Sequence, residues 1–266
     1  MPVDAHEAGV AVGLHGAGGR MGLALLAQAA ASGDPVVAAW TGGRTGRLGQ
    51  PAGPDWPALA LTRLGEGGRP SVVIDFSHAQ AFDPMLAWCV DRAVALVSGT
   101  TGLDERQVAA MDRAAQSIPV LWAANFSLGI VVLERLVREA AARLPAWSAS
   151  ISEAHHAGKR DAPSGTALIL ARAIARARGR VLDEAAVRAD PGRGDAGIGF
   201  AVIRAGDIVG DHQVVLAGPG ERIELGHRAG DRAVFARGAL HAARWLVGQP
   251  PGRYELADAL PPRPES

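Results

Sequence analysis

The chain has little cysteine and no excess of charge of either sign. Its 266 residues include one cysteine, Cys89, which excludes an intramolecular disulfide and a CxxC metal site. The 27 basic and 27 acidic residues balance, so no electrostatic argument favours nucleic acid or a membrane surface as partner. No apolar run approaches the ~18 residues that span a bilayer, and residues 1–8 lack the charge pattern of a signal peptide. We therefore expect a cytoplasmic protein without a metal, nucleic-acid or membrane partner.

Glycine is concentrated where an apolar strand meets a helix near the N-terminus. Residues 9–14 read as a strand, 23–31 read as a helix, and His-Gly-Ala-Gly-Gly-Arg-Met-Gly lies between them at 15–22. Strand, glycine turn and helix open a dinucleotide-binding fold, in which backbone N–H groups meet a pyrophosphate. The cofactor contacts predicted in this turn are Gly16, Ala17, Gly18, Gly19, Arg20 and Met21.

The end of the second predicted strand, 35–40, bears on the choice of cofactor. An NAD site usually places a carboxylate ~20 residues past the glycines to hold the ribose hydroxyls. This chain has Trp-Thr-Gly-Gly-Arg at 40–44 instead. Arg44 or Arg47 would meet a 2′-phosphate, which favours NADP, and Trp40 either stacks near the adenine or packs in the core. Thr41 and Arg44 are the predicted contacts here.

Further strand–helix units follow. Strands are predicted at 71–76, 95–97 and 119–122, helices at 82–93 and 104–117, and small polar turns after each strand. Such repeats predict a parallel sheet with right-handed crossovers, whose carboxyl edge collects ligands. Ordinary turn chemistry would explain each turn alone, but their convergence on one edge favours a cofactor site. The predicted contacts are Gly99, Thr100, Thr101, Ala123, Ala124, Asn125 and Phe126.

The pattern changes after a long predicted helix at 128–144. Strands are predicted at 149–154, 200–204, 213–217 and 222–227, with 233–236 as a further candidate, and helices at 165–178 and 241–246. This order favours a second, α+β domain with an open mixed sheet. We therefore predict an α/β chain: a Rossmann-like parallel-sheet domain over 1–127, to which 240–266 returns, and a substrate-binding and oligomerisation domain over 128–239.

The densest chemistry of the chain lies between residues 153 and 167. Ser164 is a favoured N-cap and the apolar spacing after it is helical, so Gly165 and Thr166 lie at a helix N-terminus, which favours an anion. His155, His156 and Lys159 are predicted in the loop just before, where protonated side chains would hold a carboxylate or supply a proton. The cap alone is ordinary structure, but the whole cluster predicts a site for a small acidic molecule.

These segments together resemble the dihydrodipicolinate (4-hydroxy-tetrahydrodipicolinate) reductase family over nearly the whole chain. The most specific match is Glu-Ala-His-His-Ala-Gly-Lys at 153–159 with Asp-Ala-Pro-Ser-Gly-Thr-Ala at 161–167. Other matches lie at 16–22, 75–77, 99–102, 124–127, 204–212, 220–227 and 235–239. Arg204, Asp207 and His212, within these segments, are interpreted as second-domain residues that shape the site or the sheet.

The resemblance implies an NAD(P)H-dependent oxidoreductase of diaminopimelate and lysine synthesis that reduces a cyclic imine dicarboxylate to tetrahydrodipicolinate. It implies His155 as acid/base and Lys159 as proton donor, with the delivery of the proton open between them. His156, Gly165 and Thr166 would bind substrate carboxylates. The family usually has an acidic residue after the second strand and often accepts both NADH and NADPH; this chain departs there, which leaves NADH or NADPH open. The resemblance also implies a homotetramer formed through the sheet of the second domain.

Two other functions remain compatible with the first domain. A non-catalytic nucleotide sensor or scaffold would bind the cofactor without turnover, but it would not need His155, His156 and Lys159. Another dehydrogenase, acting on a small amino or imino acid such as aspartate, would not need the spacing from Lys159 to Thr166. The cluster at 153–167 therefore favours the reductase over both.

Overall fold

The computed structural model describes residues 9–42, 46–190 and 195–261. They form two compact units. The first combines the described residues of Met1–Phe126 and Ala233–Ser266, and the second consists of the described residues of Ser127–Arg232. The chain thus leaves the first unit after Phe126 and returns to it at Ala233.

The first unit is built on an eight-stranded sheet. Its strands are β1 (Val12–His15), β2 (Val36–Trp40), β3 (Pro51–Gly53), β4 (Trp56–Thr62), β5 (Val72–Asp75), β6 (Ala95–Ser98), β7 (Pro119–Trp122) and β12 (Gly252–Tyr254), and its helices are α1 (Arg20–Ser32), α2 (Ala79–Asp91), α3 (Glu105–Ala114) and α7 (Ala233–Leu246). The strand order is β12-β7-β6-β5-β1-β2-β4-β3. All neighbours are parallel except β3 and β4.

The order of the strands reverses beside β1, and this positions a ligand site. From β1 the chain adds β2 on one side of the sheet, whereas β5, β6 and β7 extend the other side. In open parallel sheets, ligands bind outside the carboxyl ends of the strands at such a switch point. β5 and β6 are buried along their whole length, as expected for central strands covered on both faces.

The helix that returns to the first unit corrects one prediction. Residues 233–236 form the first turn of α7 and not a strand, because a short apolar run alone does not distinguish the two. Gly238 lies inside this helix, where a Cβ would come within 1.8 Å of the Phe126 carbonyl oxygen. The glycine therefore allows a close approach of helix and chain and does not end the helix. Arg244 of α7 also donates from Nε to Asp34 Oδ1 over 2.9 Å, and Asp34 is buried.

The second unit packs two helices on one face of a four-stranded sheet. Its elements are α4 (Leu128–Arg143), β8 (Ser148–His155), α5 (Gly165–Ala177), α6 (Glu184–Ala189), β9 (Ile198–Arg204), β10 (Gly210–Gly218) and β11 (Glu221–Ala229). The order is β11-β10-β8-β9, with β10 antiparallel to both neighbours and β8 parallel to β9. Ile151 of β8 and Val214 of β10 face a core that also contains Leu168 of α5.

The predicted fold class, a Rossmann-like parallel sheet with a second α+β unit and a mixed sheet, is confirmed. Sequence reasoning missed β3, β4, β12 and α6. No helix of the described part of the chain is long and apolar enough to cross a membrane.

Candidate cofactor and substrate sites

The glycine turn after β1 is closed by backbone contacts. The N–H groups of Gly16 and Ala17 both donate to the Trp40 carbonyl over 3.0 Å. Gly16 has φ +83°, and a Cβ there would lie 2.6 Å from the Phe76 carbonyl oxygen. At Gly22 a Cβ would lie 2.5 Å from Ala17 Cα. Only glycine therefore fits these two positions, and the turn reaches the helix without a side chain in the way.

The helix that follows the turn offers free N–H groups to an anion. α1 begins at Arg20, and Gly19 caps it without any side-chain hydrogen bond. The N–H groups of the first helical residues have no partner within a helix, and the helix dipole favours negative charge there. This geometry fits the pyrophosphate of a dinucleotide.

A cavity of about 560 Å³ lies beside this turn. Of the predicted cofactor contacts, Gly16, Gly19 and Thr41 line it, and Arg44 lies outside the described residues. Trp40 borders the cavity but its ring is fully buried, edge-to-face with Trp88, so it packs in the core. The other lining residues, which were not among the predicted contacts, are His15, Gly42, Arg63, Leu64, Phe76, Ser77, His78, Ala81 and Pro84.

A buried carboxylate joins three strand ends at this edge. Asp75 is fully buried, and its Oδ1 lies 2.8 Å from His15 Nδ1 and accepts from the Ser77 N–H over 3.1 Å. Its Oδ2 accepts from the hydroxyls of Ser98 and Thr100 over 2.8 and 2.7 Å. Burial acts to raise the pKa of Asp75, but the contacts with His15 and the other donors outweigh it and hold the pKa below its usual value. The turns after β1, β5 and β6 are thereby tied together.

The remaining predicted cofactor contacts differ in how exposed they are. The Thr100 N–H, hydroxyl and carbonyl are each hydrogen-bonded within the unit, whereas Thr101 and Ala124 are exposed and Asn125 is half-buried. Phe126 is buried and packs edge-to-face with Phe76 at 5.3 Å between ring centroids. The structure therefore brings these turns to one edge, with Thr100 and Phe126 engaged in holding it together.

In the second unit, the predicted cap opens α5. The Ser164 hydroxyl accepts from the Ala167 N–H over 3.2 Å, and the Ser164 N–H donates to Glu153 Oε2 over 3.0 Å. Gly165 is exposed, and a Cβ added there would meet nothing within 4 Å. Thr166 is buried in the first turn. The helix N-terminus is thus open to an anion at Gly165.

Glu153 is the buried centre of this cluster, a role that sequence reasoning did not assign. Its Oε1 accepts from Arg204 Nη2 over 2.8 Å. Burial raises the pKa of Glu153, but hydrogen bonds from Ser164 and Arg204 more than offset it and lower the pKa. Arg204 also donates to the carbonyls of Lys159 and Asp161 over 3.3 and 2.6 Å. Arg204 therefore fastens the loop after β8, which agrees with the shaping role predicted for it.

His155 corrects a detail of the prediction, because it is the last residue of β8 and does not lie in the loop. It is buried, and its Nδ1 lies 3.8 Å from Glu153 Oε2. That nitrogen has no hydrogen-bond partner among the described residues. Burial lowers the pKa of His155, Lys159 and Arg204 lower it further, and Glu153 opposes them. The imidazole is therefore held mainly neutral, with one nitrogen uncommitted.

His212 packs against His155 inside the sheet. The two rings meet edge-to-face with centroids 5.0 Å apart, and His212 Nε2 lies 3.1 Å from the Ser164 hydroxyl. Burial, with the nearby His155, lowers the pKa of His212 to about 4. His212 is thus a neutral neighbour that fixes the surroundings of His155 and the cap.

The side-chain oxygen or nitrogen atoms of Glu153, His155 and His212 lie within 4.8 Å of one another. This spacing is short enough for the three residues to bind one metal ion. Both oxygens of Glu153, however, accept hydrogen bonds from Arg204 and Ser164. The guanidinium beside the carboxylate also opposes a second cation. The cluster therefore reads as a hydrogen-bond network.

Lys159 is distinguished by its residue type. Of the 27 lysine and arginine residues in the chain, it is the only lysine. Its side-chain Nζ lies 2.8 Å from Asp161 Oδ1. Its backbone N–H donates to the backbone carbonyl of His156, which is half-buried, over 3.0 Å. An ammonium can release a proton, whereas a guanidinium stays charged in proteins. The lone lysine was a signal in the composition that sequence reasoning passed over.

The parallel sheet with its glycine turn and the buried carboxylate–histidine–lysine cluster define a dinucleotide-dependent oxidoreductase with two units. Two family models match the chain: dihydrodipicolinate reductase, N-terminus, over residues 10–126, and dihydrodipicolinate reductase, C-terminus, over residues 129–260. The chain belongs to the dihydrodipicolinate reductase family, and the resemblance stated from its motifs is confirmed.

Named relatives agree with this membership. The 4-hydroxy-tetrahydrodipicolinate reductase of Xanthomonas campestris pv. campestris (strain B100) is 49% identical over 251 residues, covering 94% of this chain and 98% of that protein. That of Stenotrophomonas maltophilia (strain R551-3) is 47% identical over 249 residues, covering 93% and 96%. In fold, the chain is similar to the dipicolinate-bound dihydrodipicolinate reductase of Paenisporosarcina sp. TG-14, with a TM-score of 0.75, 23% identity and coverage of 95% and 100%.

Proposed function

We propose that this chain reduces 4-hydroxy-tetrahydrodipicolinate to tetrahydrodipicolinate in the diaminopimelate and lysine pathway, with NADH or NADPH as reductant. The observation that carries the proposal is the cluster around Glu153, in which imidazoles, one amine and a helix N-terminus meet beside a single loop. In this reaction the substrate hydroxyl leaves as water together with a hydrogen from the adjacent ring carbon, and one hydride and one proton are then added. The reduced nicotinamide supplies the hydride when it is bound.

The substrate is a dicarboxylate, and the second unit offers groups for both charges. We assign His156, Gly165 and Thr166 to carboxylate binding. Gly165 and Thr166 supply N–H groups at the start of α5, where the helix dipole favours an anion. Lys159 adds a positive charge on the same loop. A substrate carboxylate would compete with Asp161 for this ammonium.

The proton transfers fall to Lys159 and His155. We assign Lys159 as the proton donor, because an ammonium carries a transferable proton and arginine fills the other basic positions of this chain. His155 has a lowered pKa and an uncommitted Nδ1, which suits a group that accepts a proton or orients the departing water. Glu153 and His212 act as positioning residues that hold the His155 ring.

The cofactor contacts are proposed on the first unit. The N–H groups at Gly18, Arg20 and Met21 would hold the pyrophosphate, because they lie in the glycine turn and at the start of α1, where Gly19 provides no side-chain cap. Thr41 and Arg44, with the turns at 99–101 and 123–126, complete the proposed set. Thr100 and Phe126 would hold the shape of the cofactor site without a direct contact to the cofactor. The Thr100 hydroxyl is hydrogen-bonded to Asp75, and the Phe126 ring packs against Phe76.

A homotetramer in the cytoplasm completes the proposal. One face of the four-stranded sheet is covered by α4 and α5, and the other carries the exposed side chain of Ile203 and the half-buried side chain of Val215. A surface of this kind suits pairing between copies. Sedimentation of the wild type and of Ile203→Asp with Val215→Asp tests this, because a tetramer in the wild type and smaller species in the variant are expected.

The first test is a coupled assay at 340 nm. Dihydrodipicolinate synthase generates the unstable substrate in place, and NADH and NADPH are run in parallel. Oxidation of either cofactor that depends on the synthase product is the expected result. Cofactor binding with no turnover would instead favour a nucleotide sensor, and turnover with aspartate in the reverse direction would favour an amino-acid dehydrogenase.

A further inference from the structure

The cavity beside the glycine turn is lined by apolar side chains and one arginine, and this arginine has no role in the proposed function. Among the described residues that line it, none carries a carboxylate, and Arg63 supplies a permanent positive charge. Apolar side chains, including Leu64, Phe76 and Pro84, form much of the remainder. A flat aromatic base with an anionic group at its edge matches such a lining.

The position of Arg63 in the sheet places it where dinucleotide sites read the ribose. β2 and β4 are parallel neighbours in which Trp40 pairs with Thr62, and the Thr41 N–H donates to the Thr62 carbonyl over 2.9 Å. Arg63 therefore leaves the sheet directly beside the end of β2. In NAD sites, the residue at the end of β2 is a carboxylate that binds the ribose hydroxyls, and here Thr41 and Gly42 stand in its place.

The Arg63 guanidinium is uncommitted. It makes no hydrogen bond or ion pair within the described parts of the chain, whereas its backbone N–H donates to Glu66 Oε2 over 3.2 Å. Arg47, which the sequence also suggested for a 2′-phosphate, differs from Arg63 in its side-chain hydrogen bonds and in its position relative to the cavity. Its Nη2 donates to the carbonyls of Pro51 and Ala52 over 3.3 and 3.5 Å, and it does not line the cavity.

We propose that Arg63 binds the 2′-phosphate of NADPH and is the specificity-determining residue that makes this chain prefer NADPH to NADH. The inference rests on the proposed function only in that the cofactor is a pyridine dinucleotide. The guanidinium presents paired N–H donors to phosphate oxygens, a geometry that an ammonium does not reproduce. A 2′-hydroxyl gains little from the same group, so the charge discriminates between the two cofactors.

Two half-cofactors that differ by one phosphate test this assignment without catalysis. Binding of adenosine 2′,5′-bisphosphate and of 5′-AMP is measured by calorimetry on the full chain, together with the Kd of NADPH and NADH by fluorescence. The variants are Arg63→Ala and Arg63→Lys, with Arg69→Ala as a matched control, since Arg69 is exposed and does not line the cavity.

Wild type is expected to bind the bisphosphate more tightly than 5′-AMP, and Arg63→Ala should reduce that ratio by about 10- to 100-fold, the range of a charge-assisted hydrogen bond. Arg63→Lys should restore part of it, and Arg69→Ala should leave it unchanged. An unaltered NADH affinity shows that the variants are folded. The assignment is overturned if wild type has no preference for the 2′-phosphate, or if Arg63→Ala weakens NADPH and NADH equally. Neither result depends on the reductase assay, so failure of that assay would count against the function alone.

Discussion

Each unit buries one carboxylate beside its candidate site, and the two carboxylates have different partners. Asp75 accepts hydrogen bonds from small side chains at neighbouring strand ends, such as Ser98 and Thr100. Glu153 instead accepts from the guanidinium of Arg204 and from the backbone at the start of a helix. Both carboxylates lie near a histidine, but only Glu153 lies beside the residues proposed for proton transfer.

The partners of the two carboxylates show which groups hold each candidate site together and which groups remain for a ligand. Around Asp75, side chains hold the turns together, and the groups offered to a ligand are largely backbone N–H groups. Around Glu153, backbone and Arg204 hold the loop, and the side chains of Lys159 and His155 are the candidates for proton transfer. Substitutions near Asp75 should therefore change shape and cofactor affinity, whereas substitutions near Glu153 should also change the chemistry.

The largest effect is expected at Lys159, where this contrast is sharpest. Lys159→Ala should lower kcat by about 100- to 10,000-fold, the range of a lost general acid, with cofactor Kd nearly unchanged. Lys159→Arg keeps the charge but not the transferable proton, so its KM should stay near wild type while kcat falls about as far as in the alanine variant. Steady-state kinetics with either cofactor provide the measurement, and Arg160→Ala is the neighbouring control. An arginine variant with normal kcat would contradict the proton-donor role.

Glu153→Gln should cost about 3–5 kcal/mol in the free energy of unfolding, because it leaves the Arg204 guanidinium without its buried partner. The control is Glu184→Gln, in the same unit, whose 2.6 Å pair with Arg172 is solvent-exposed and should contribute less than about 1 kcal/mol. Urea denaturation compares the two. Equal losses in the two variants would break the distinction between buried and exposed carboxylates.

The neutral histidines predict a stability that depends on pH. The pKa of His212 is about 4 in the folded chain against 6.5 ordinarily, so between these values the unfolded chain binds a proton that the folded chain does not. The free energy of unfolding should therefore fall by roughly 3 kcal/mol as pH drops from about 6.5 to about 4. Above about pH 6.5 the protein should retain this contribution to its stability in full. His155 acts in the same direction.

Denaturation midpoints across that pH range check the sign. His212→Gln should flatten the dependence between pH 6.5 and 5, where carboxylates contribute least. His78→Gln, which changes an exposed histidine of the first unit, should retain the wild-type slope. A wild-type chain that gains stability on acidification would contradict the assignment of buried neutral histidines.

The smallest effect is expected at Asp75, the buried carboxylate beside the candidate cofactor site. Asp75→Asn keeps one acceptor oxygen but turns the other position into a donor that faces the Ser98 and Thr100 hydroxyls. We expect a loss of about 1–3 kcal/mol in stability and weaker binding of both cofactors, with kcat at saturation little changed. Asp83→Asn, at an exposed pair with Arg106, is the control. A loss of kcat without a loss of cofactor affinity would erase the contrast between the two regions.

The fold could be predicted where local pattern and tertiary environment agree. The central strands are continuous apolar runs between turn residues, and the α5 cap has its serine, glycine and apolar periodicity in sequence. The prediction failed at 233–236, because Ala-Val-Phe-Ala fits either element and Gly238, a poor helix former, follows two residues later. Only the approach of α7 to the Phe126 carbonyl explains that glycine, and such a contact joins residues far apart in the chain.

The candidate reactive residues could be proposed from the sequence, whereas the contacts that support them could not. His155, His156 and Lys159 lie within five positions of the chain, so their types and spacing carry the signal. Arg204 reaches Glu153 across 51 positions of the chain through the pairing of β8 with β9, and local pattern does not encode that register. Arg63 was missed for a similar reason, since β4 itself was not predicted and its place beside β2 is a property of the sheet.

The lone lysine beside Asp161 makes this site directly observable by spectroscopy. Lysine-selective isotope labelling would place a single labelled side chain in the whole protein, at Lys159 Nζ. Its magnetic resonance signal would need no assignment and would report the charge of that amine in the free protein, with cofactor and with a substrate analogue. The protonation of one candidate acid can thus be followed in the unaltered chain, which mutagenesis does not allow.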